Sequence, residues 1–182
     1  MMYELPTTLE IDGIEHPIRT DYRAALDICA ALADTEYSDQ DRVLALLSIL
    51  YEDVEKILDY EEAAKKALWF IACGDNSTSQ RKTPKLMDWE KDFTLIAAPI
   101  NRIAGCEIRS LPYMHWWTFI SYYYEIGDCA FANIVSIRNK KAKGKKLESW
   151  EREFYRENRD KIDLRSGMTA EDKELINSIL GG

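Results

Sequence analysis

Two histidines, His16 and His115, are the side chains best suited to proton transfer near neutral pH. His115 lies in the aromatic stretch LPYMHWWTFISYYYEIGDCAF (111–131) with Ser121 and Glu125 downstream. The chemistry to test first is therefore a histidine base with an orienting carboxylate, or a Ser-His pair. Spacing removes both local pairings. On one helix, ten residues put Glu125 roughly 15 Å of rise from His115, and six put Ser121 about 9 Å away. His115 is read as a partly buried structural histidine, which only groups from other helices could turn into a base.

The remaining candidates for chemistry are weaker. His16 precedes Pro17 on a strand-like stretch, and Cys29, Cys73, Cys106 and Cys129 stand singly, with no CxxC pair and no histidine at ligand spacing. No zinc site is expected, and the thiols are read as reduced and mostly buried. The eight glycines are scattered, and neither GxxxxGK[ST] nor GxGxxG occurs. Glu61 and Glu62, Asp88 and Asp92, and Glu151 and Glu153 fall on regular charged helix faces, where solvation is the default. The expectation is a protein that is not an enzyme, with no catalytic, cofactor-binding or metal-binding residue.

Charge addresses nucleic acid and membrane. With 24 basic and 32 acidic residues the chain carries a net charge of -8, which argues against wholesale binding to polyanions or anionic lipid. The basic run of Arg138, Lys140, Lys141, Lys143, Lys145 and Lys146 beside aromatics could serve single-stranded nucleic acid. Glu148, Glu151, Glu153 and Glu157 follow at once and neutralise it, so a solvated linker or a dock for an acidic partner is favoured. The N-terminal MMYELPTTLEIDG lacks a basic region ahead of an apolar run, so no secretory signal is expected. No apolar stretch reaches the roughly 18 residues of a membrane-spanning helix.

The elements that must position these residues are mainly helical. Asp12-Gly13 predicts a hairpin turn inside TLEIDGIEHPIR (8–19), with Pro17 confining its strand to an edge. A helix from Thr20 or Asp21 follows, with Tyr22, Leu26, Cys29, Leu32 and Ala33 on its apolar face, ending at Asp34-Thr35. Ser38 and Asp41 form an approximate capping box for a second helix. A third covers about 60–73, with Glu61 four residues before Lys65 and a stop at Gly74. The polar segment 75–85 is a loop, and a helix at about 86–104 must kink or divide at Pro99 and closes at Gly105. The aromatic helix starts with Pro112 in its first turn and ends near Gly127, buried on most sides, and Asp128 caps the next one. After the basic run, Leu147, Trp150 and Phe154 make a sparse seam on a charged helix, and a short helix follows Thr169 ahead of Gly181-Gly182. The fold class is mainly α, a multi-helix bundle with a small N-terminal β-hairpin. Its organisation is a helical core at 1–138, a basic linker at 139–146 and a C-terminal helical segment at 147–182.

This succession resembles the bacteriophage gene-product-fifteen family over roughly residues 5–165. The residues that carry the likeness are the DG hairpin, Tyr22-Arg23, the DWEKDFTLIAAPINR helix, the CEIRSL connector, HWWTF at 115–119 and the helix ending IRNKK. HWWTF is the most specific piece, reinforced by Ile137-Arg138, so His115, Trp116, Trp117, Phe119 and Arg138 form the signature. IAAPIN (96–101) departs from the uninterrupted helix more usual in the family. The resemblance implies a tail assembly chaperone of tailed phages and prophages of Gram-positive bacteria. Such a protein would coat the tape measure protein, recruit subunits of the major tail protein, act in the host cytoplasm and be absent from the finished virion. A companion chaperone or a second copy is a further expected partner, and no cofactor is implied. The competing readings are a structural tail or connector component and, behind it, a nucleic-acid-binding regulator. The partner-binding residues are left unassigned, with helices at 38–51 and 147–160 as the favoured client surface.

Overall fold

The computed structural model describes residues 4–75 and 84–164. They form a two-stranded hairpin and eight α-helices, so the mainly α class with an N-terminal hairpin holds. The chain divides into two compact units, Met1–Asn133 and Ile134–Gly182. The division falls within the sixth helix, and residues 139–142 of the expected linker are helical. The segment expected as a loop between 75 and 85, the short helix expected after Thr169 and the terminal Gly181-Gly182 lie wholly or largely outside the described residues.

In the first unit, strands β1 (Thr8–Ile11) and β2 (Ile14–Pro17) pair antiparallel around Asp12 and Gly13. Both turn residues have positive φ, 50° and 76°, which is the two-residue turn whose twist matches a hairpin. The chain then joins α1 (Tyr22–Ala33), capped by Asp21, and α2 (Asp39–Leu50), where Ser38 and Asp41 form the expected capping box. Arg19 reaches back to the open end of α2, its guanidinium donating to the carbonyls of Ser48, Ile49 and Tyr51 at 2.8–3.1 Å. The backbone of Glu52 donates to the carbonyl of Pro17 at 3.1 Å, which ties the hairpin to the exit of α2.

Helix α3 (Tyr60–Ile71) is capped by Asp59 and carries the Glu61–Lys65 pair at 2.6 Å. Helix α4 (Trp89–Ala104) runs continuously through the buried Pro99, so of the expected kink or division the division does not occur. A proline removes one backbone donor, which a sixteen-residue helix with a capped start and a left-handed Gly105 at its end tolerates. Helix α5 (Trp116–Tyr124) is shorter than expected, because Pro112 precedes it by a full turn and His115 is its cap. Helix α6 (Ala130–Ala142) begins two residues after Asp128.

The buried core of this unit includes Leu9, Ile11, Tyr22, Ile28, Leu50, Tyr51, Phe70, Ile96, Ile100, Trp116 and Phe119. On α1 the buried stripe is Tyr22, Ala25 and Ile28, while Leu26, Cys29 and Leu32 lie at its margin and Ala33 is exposed. Tyr22 sets that rotation by stacking on Phe119, with ring centroids 4.8 Å apart and planes 4° from parallel. In the second unit, α7 (Ser149–Glu157) and α8 (Arg159–Ile162) follow the last turns of α6, with Ile137 and Ile162 buried.

Candidate functional site

The HWWTF segment is a structural junction built around the start of α5. Asp21 and His115 face each other in an isolated antiparallel bridge, where Trp116 N–H donates to the carbonyl of Thr20 at 2.7 Å and Tyr22 N–H to that of Met114 at 2.9 Å. The Asp21 carboxylate accepts from the backbone of both Arg23 and Met114, at 3.0 Å each, so one side chain caps α1 and holds the approach to α5.

His115 is 4% exposed and uses both ring nitrogens. Nδ1 accepts the backbone N–H of Trp117 at 3.0 Å, which makes it the cap of α5, and Nε2 donates to the carbonyl of Pro6 at 3.0 Å. A ring that accepts at Nδ1 is neutral with its proton on Nε2. Burial pushes its pKa below the ordinary 6.5, against the smaller upward pull of the Pro6 carbonyl. Among the described residues no carboxylate or hydroxyl partners the ring, and its two bonds to backbone are structural in kind.

The two tryptophans finish the opposite helix. Trp116 Nε1 donates to the carbonyl of Ile71 at 3.0 Å and Trp117 Nε1 to that of Phe70 at 2.9 Å. Adjacent indoles thus add donors to two carbonyls in the last turn of α3, of which that of Phe70 also accepts the Cys73 N–H at 3.0 Å. Phe119 is fully buried, stacked between Tyr22 and Trp116. Burial fades along the helix: Trp117 and Tyr123 are half-buried, and Tyr124 is exposed. The expectation of a helix buried on most sides holds only for its first half, because α5 covers the core with one turn and then leaves it.

Arg138, the other signature residue, belongs to the second unit. Its guanidinium donates through Nε to the carbonyl of Ile162 and through Nη2 to that of Lys161, both at 2.7 Å, placing a buried cation at the end of α8. Lys140 meets Glu151 at 2.6 Å, and Lys141 meets Asp163 at 2.6 Å while lying 3.7 Å above the Tyr155 ring. Half of the basic run therefore works inside the protein. The hydrogen bond from Lys140 and that from the Glu148 backbone hold Glu151 below the usual carboxylate range.

Two carboxylates read as solvated are buried instead: Asp92 and Glu151 are each 1% exposed. Each accepts the backbone N–H that precedes its own helix, from Asp88 at 3.0 Å and from Glu148 at 2.8 Å. The expected seam of Leu147, Trp150 and Phe154 is correspondingly incomplete, for Trp150 is 49% exposed where Glu151 turns inward. None of the four cysteines is fully buried and Cys106 is exposed, which corrects the expectation of mostly buried thiols. Burial still raises Cys29 and Cys73 to about 11, so both remain thiols near neutral pH.

Asp12, Asp59 and Glu62 bring carboxylate oxygens within 4.8 Å of one another. Glu62 already accepts the Asp12 N–H at 3.0 Å and Asp59 caps α3, so the cluster is accounted for by the hairpin turn and the helix start. Exposed apolar side chains occur on α2, where Val43 and Leu44 face solvent, and on α7 at Trp150.

No curated protein and no solved structure matches the chain. A family model described as Bacteriophage Gp15 protein matches residues 1–164, a span that takes in the hairpin, every helix described above, the HWWTF junction and Arg138. The chain belongs to the Bacteriophage Gp15 protein family.

Proposed function

We propose that the protein is a non-enzymatic phage tail assembly chaperone, which binds the tape measure protein and helps to recruit subunits of the major tail protein in the cytoplasm of the bacterial host. The observation that carries this reading is the family match across residues 1–164. The use of the signature residues supports it: His115, Trp116, Trp117, Phe119 and Arg138 spend their polar atoms and ring faces on helix ends and packing, which leaves binding to surfaces elsewhere. The exposed pair Val43-Leu44 on α2 offers an apolar strip of the kind that accepts an amphipathic helix, and Trp150 on α7 offers an anchor of its own. The net charge of -8 suits a protein that must keep an apolar client in solution.

Co-expression with the tape measure protein of the same phage tests the reading. The client is expected to become soluble and to co-purify with this chain, and a client that stays insoluble would sink the proposal. Mass spectrometry of purified particles gives the second arm. Abundant peptides from this chain would make it a structural tail component instead.

A further inference from the structure

We infer that the tip of the hairpin and the start of α3 form a docking surface for a basic amphipathic segment of a partner protein, with one arginine or lysine seated among Asp12, Asp59 and Glu62. This goes beyond the chaperone reading and does not rest on it. The surface involves neither Leu44 nor Trp150.

The backbone explains why the three carboxylates meet, and it leaves their charge uncancelled. Asp59 Oδ1 accepts the Glu62 N–H at 2.8 Å as a helix cap, and Glu62 Oε2 accepts the Asp12 N–H at 3.0 Å, which ties the turn to α3. Asp59 Oδ2, Glu62 Oε1 and both carboxylate oxygens of Asp12 accept nothing among the described residues, although one oxygen of each group lies within 4.8 Å of the others. Lys65 is within electrostatic reach of Asp59 and Glu62, but its ammonium is bonded to Glu61 at 2.6 Å, so one positive charge answers four carboxylates. The flanking chain deepens the imbalance: residues 8–17 and 52–62 hold nine acidic residues and one basic, Lys56, itself 3.5 Å from Asp53. A cationic partner is what this field attracts.

Apolar side chains around the carboxylates make that partner a protein segment rather than a bare cation. Leu58 and Tyr60 flank Asp59 in the chain and are 90% and 54% exposed, and Ile14, two residues past Asp12, is 61% exposed. A single exposed leucine needs no explanation. Three large apolar side chains gathered from two elements around one acidic centre are the mark of a contact surface. A helix with a basic residue, a leucine four positions before it and another three after presents all three on one face. Its charge and its apolar contacts then reach the surface from the same side, as a docked amphipathic helix requires.

The test uses the full chain and the synthetic peptide acetyl-Ala-Lys-Ala-Leu-Ala-Ala-Ala-Arg-Ala-Ala-Leu-Ala-Lys-Ala-amide, titrated at low salt with amide shifts read by NMR. Shifts are expected at Asp12, Gly13, Ile14 and residues 58–62. Asp12→Asn keeps a residue type favoured in this turn and should weaken binding about threefold or more. Leu58→Ser alters a side chain outside the core and should weaken it about fivefold or more. Replacing the peptide's arginine by glutamate, or its leucines by alanine, should have the same effect. No shifts at millimolar peptide, or binding indifferent to both protein variants, would overturn the inference. Binding that survives loss of the leucines would reduce the contact to charge and overturn it too. Millimolar calcium that shifts the same amides as strongly would assign the carboxylates to a metal ion, and shifts that appear with protein concentration alone would assign the surface to a second copy; either result overturns it.

Discussion

His115 does at the residue scale what serine or aspartate does at most helix starts, and it does so only while neutral. Its folded pKa lies below the ordinary 6.5, so the unfolded chain binds a proton first as the pH falls. The stability His115 contributes is therefore complete above about pH 6.5 and is lost as the pH drops through the folded value. His115→Asn keeps an N-cap of a favoured type and cannot titrate. Thermal midpoints measured from pH 7.5 to 5 should fall more steeply for the wild type than for this variant, and parallel curves would refute the assignment. The two indoles separate in another way. Trp117→Phe loses the bond to the Phe70 carbonyl at a half-buried position, which should cost about 1 kcal/mol in urea unfolding. Trp116→Phe loses the bond to the Ile71 carbonyl and also leaves a gap in the core at a 2% exposed position, so its cost should be larger, about 2–3 kcal/mol.

At the scale of elements, helix starts and helix ends are held by different means, and the difference explains what the sequence made legible. The starts are local: Asp21, Ser38, Asp59 and Asp88 each bond a backbone N–H two or three residues on. A local cap can be read from spacing, and the starts of α1, α2 and α3 were. The ends are held from a distance: Arg42 donates to the carbonyl of Asp34, Arg19 to the last carbonyls of α2, Trp116 and Trp117 to those of α3, and Arg138 to those of α8. Donors up to 47 residues away in the chain leave no periodic trace. The inward turn of Glu151 was hidden for the same reason, since its partner Lys140 sits in a run that reads as solvated. Arg138→Ala removes two bonds from the end of α8, and amide exchange in residues 159–163 should accelerate by at least about tenfold. Unchanged protection there would show that α8 is held by packing alone.

At the scale of the whole molecule, the question is which exposed groups remain for partners once the internal work is subtracted. Arg138, Lys140 and Lys141 are engaged within the second unit, which leaves Lys143, Lys145 and Lys146 of the basic run exposed beside the exposed Glu148, Glu153 and Glu157. A polyanion site needs several cations acting together to release counterions. Binding to single-stranded DNA should accordingly be absent at 50 mM salt, and affinity that falls steeply as salt is added would revive the regulator reading. The apolar surface is the stronger candidate for work. Leu44 is 65% exposed on the solvent side of α2, while Leu46, Leu47 and Leu50 of the same helix are buried and hold it in place. A charge at Leu44 therefore changes the outer face without touching the core. Leu44→Glu should keep the thermal midpoint within about 2 °C of wild type, as expected for an exposed site, and should reduce the tape measure protein recovered in co-purification by at least about fivefold. Trp150→Glu, on the other unit, is the paired control. If it lowers recovery and Leu44→Glu does not, the client surface lies on α7, and if neither does, the exposed apolar side chains are not where the client binds.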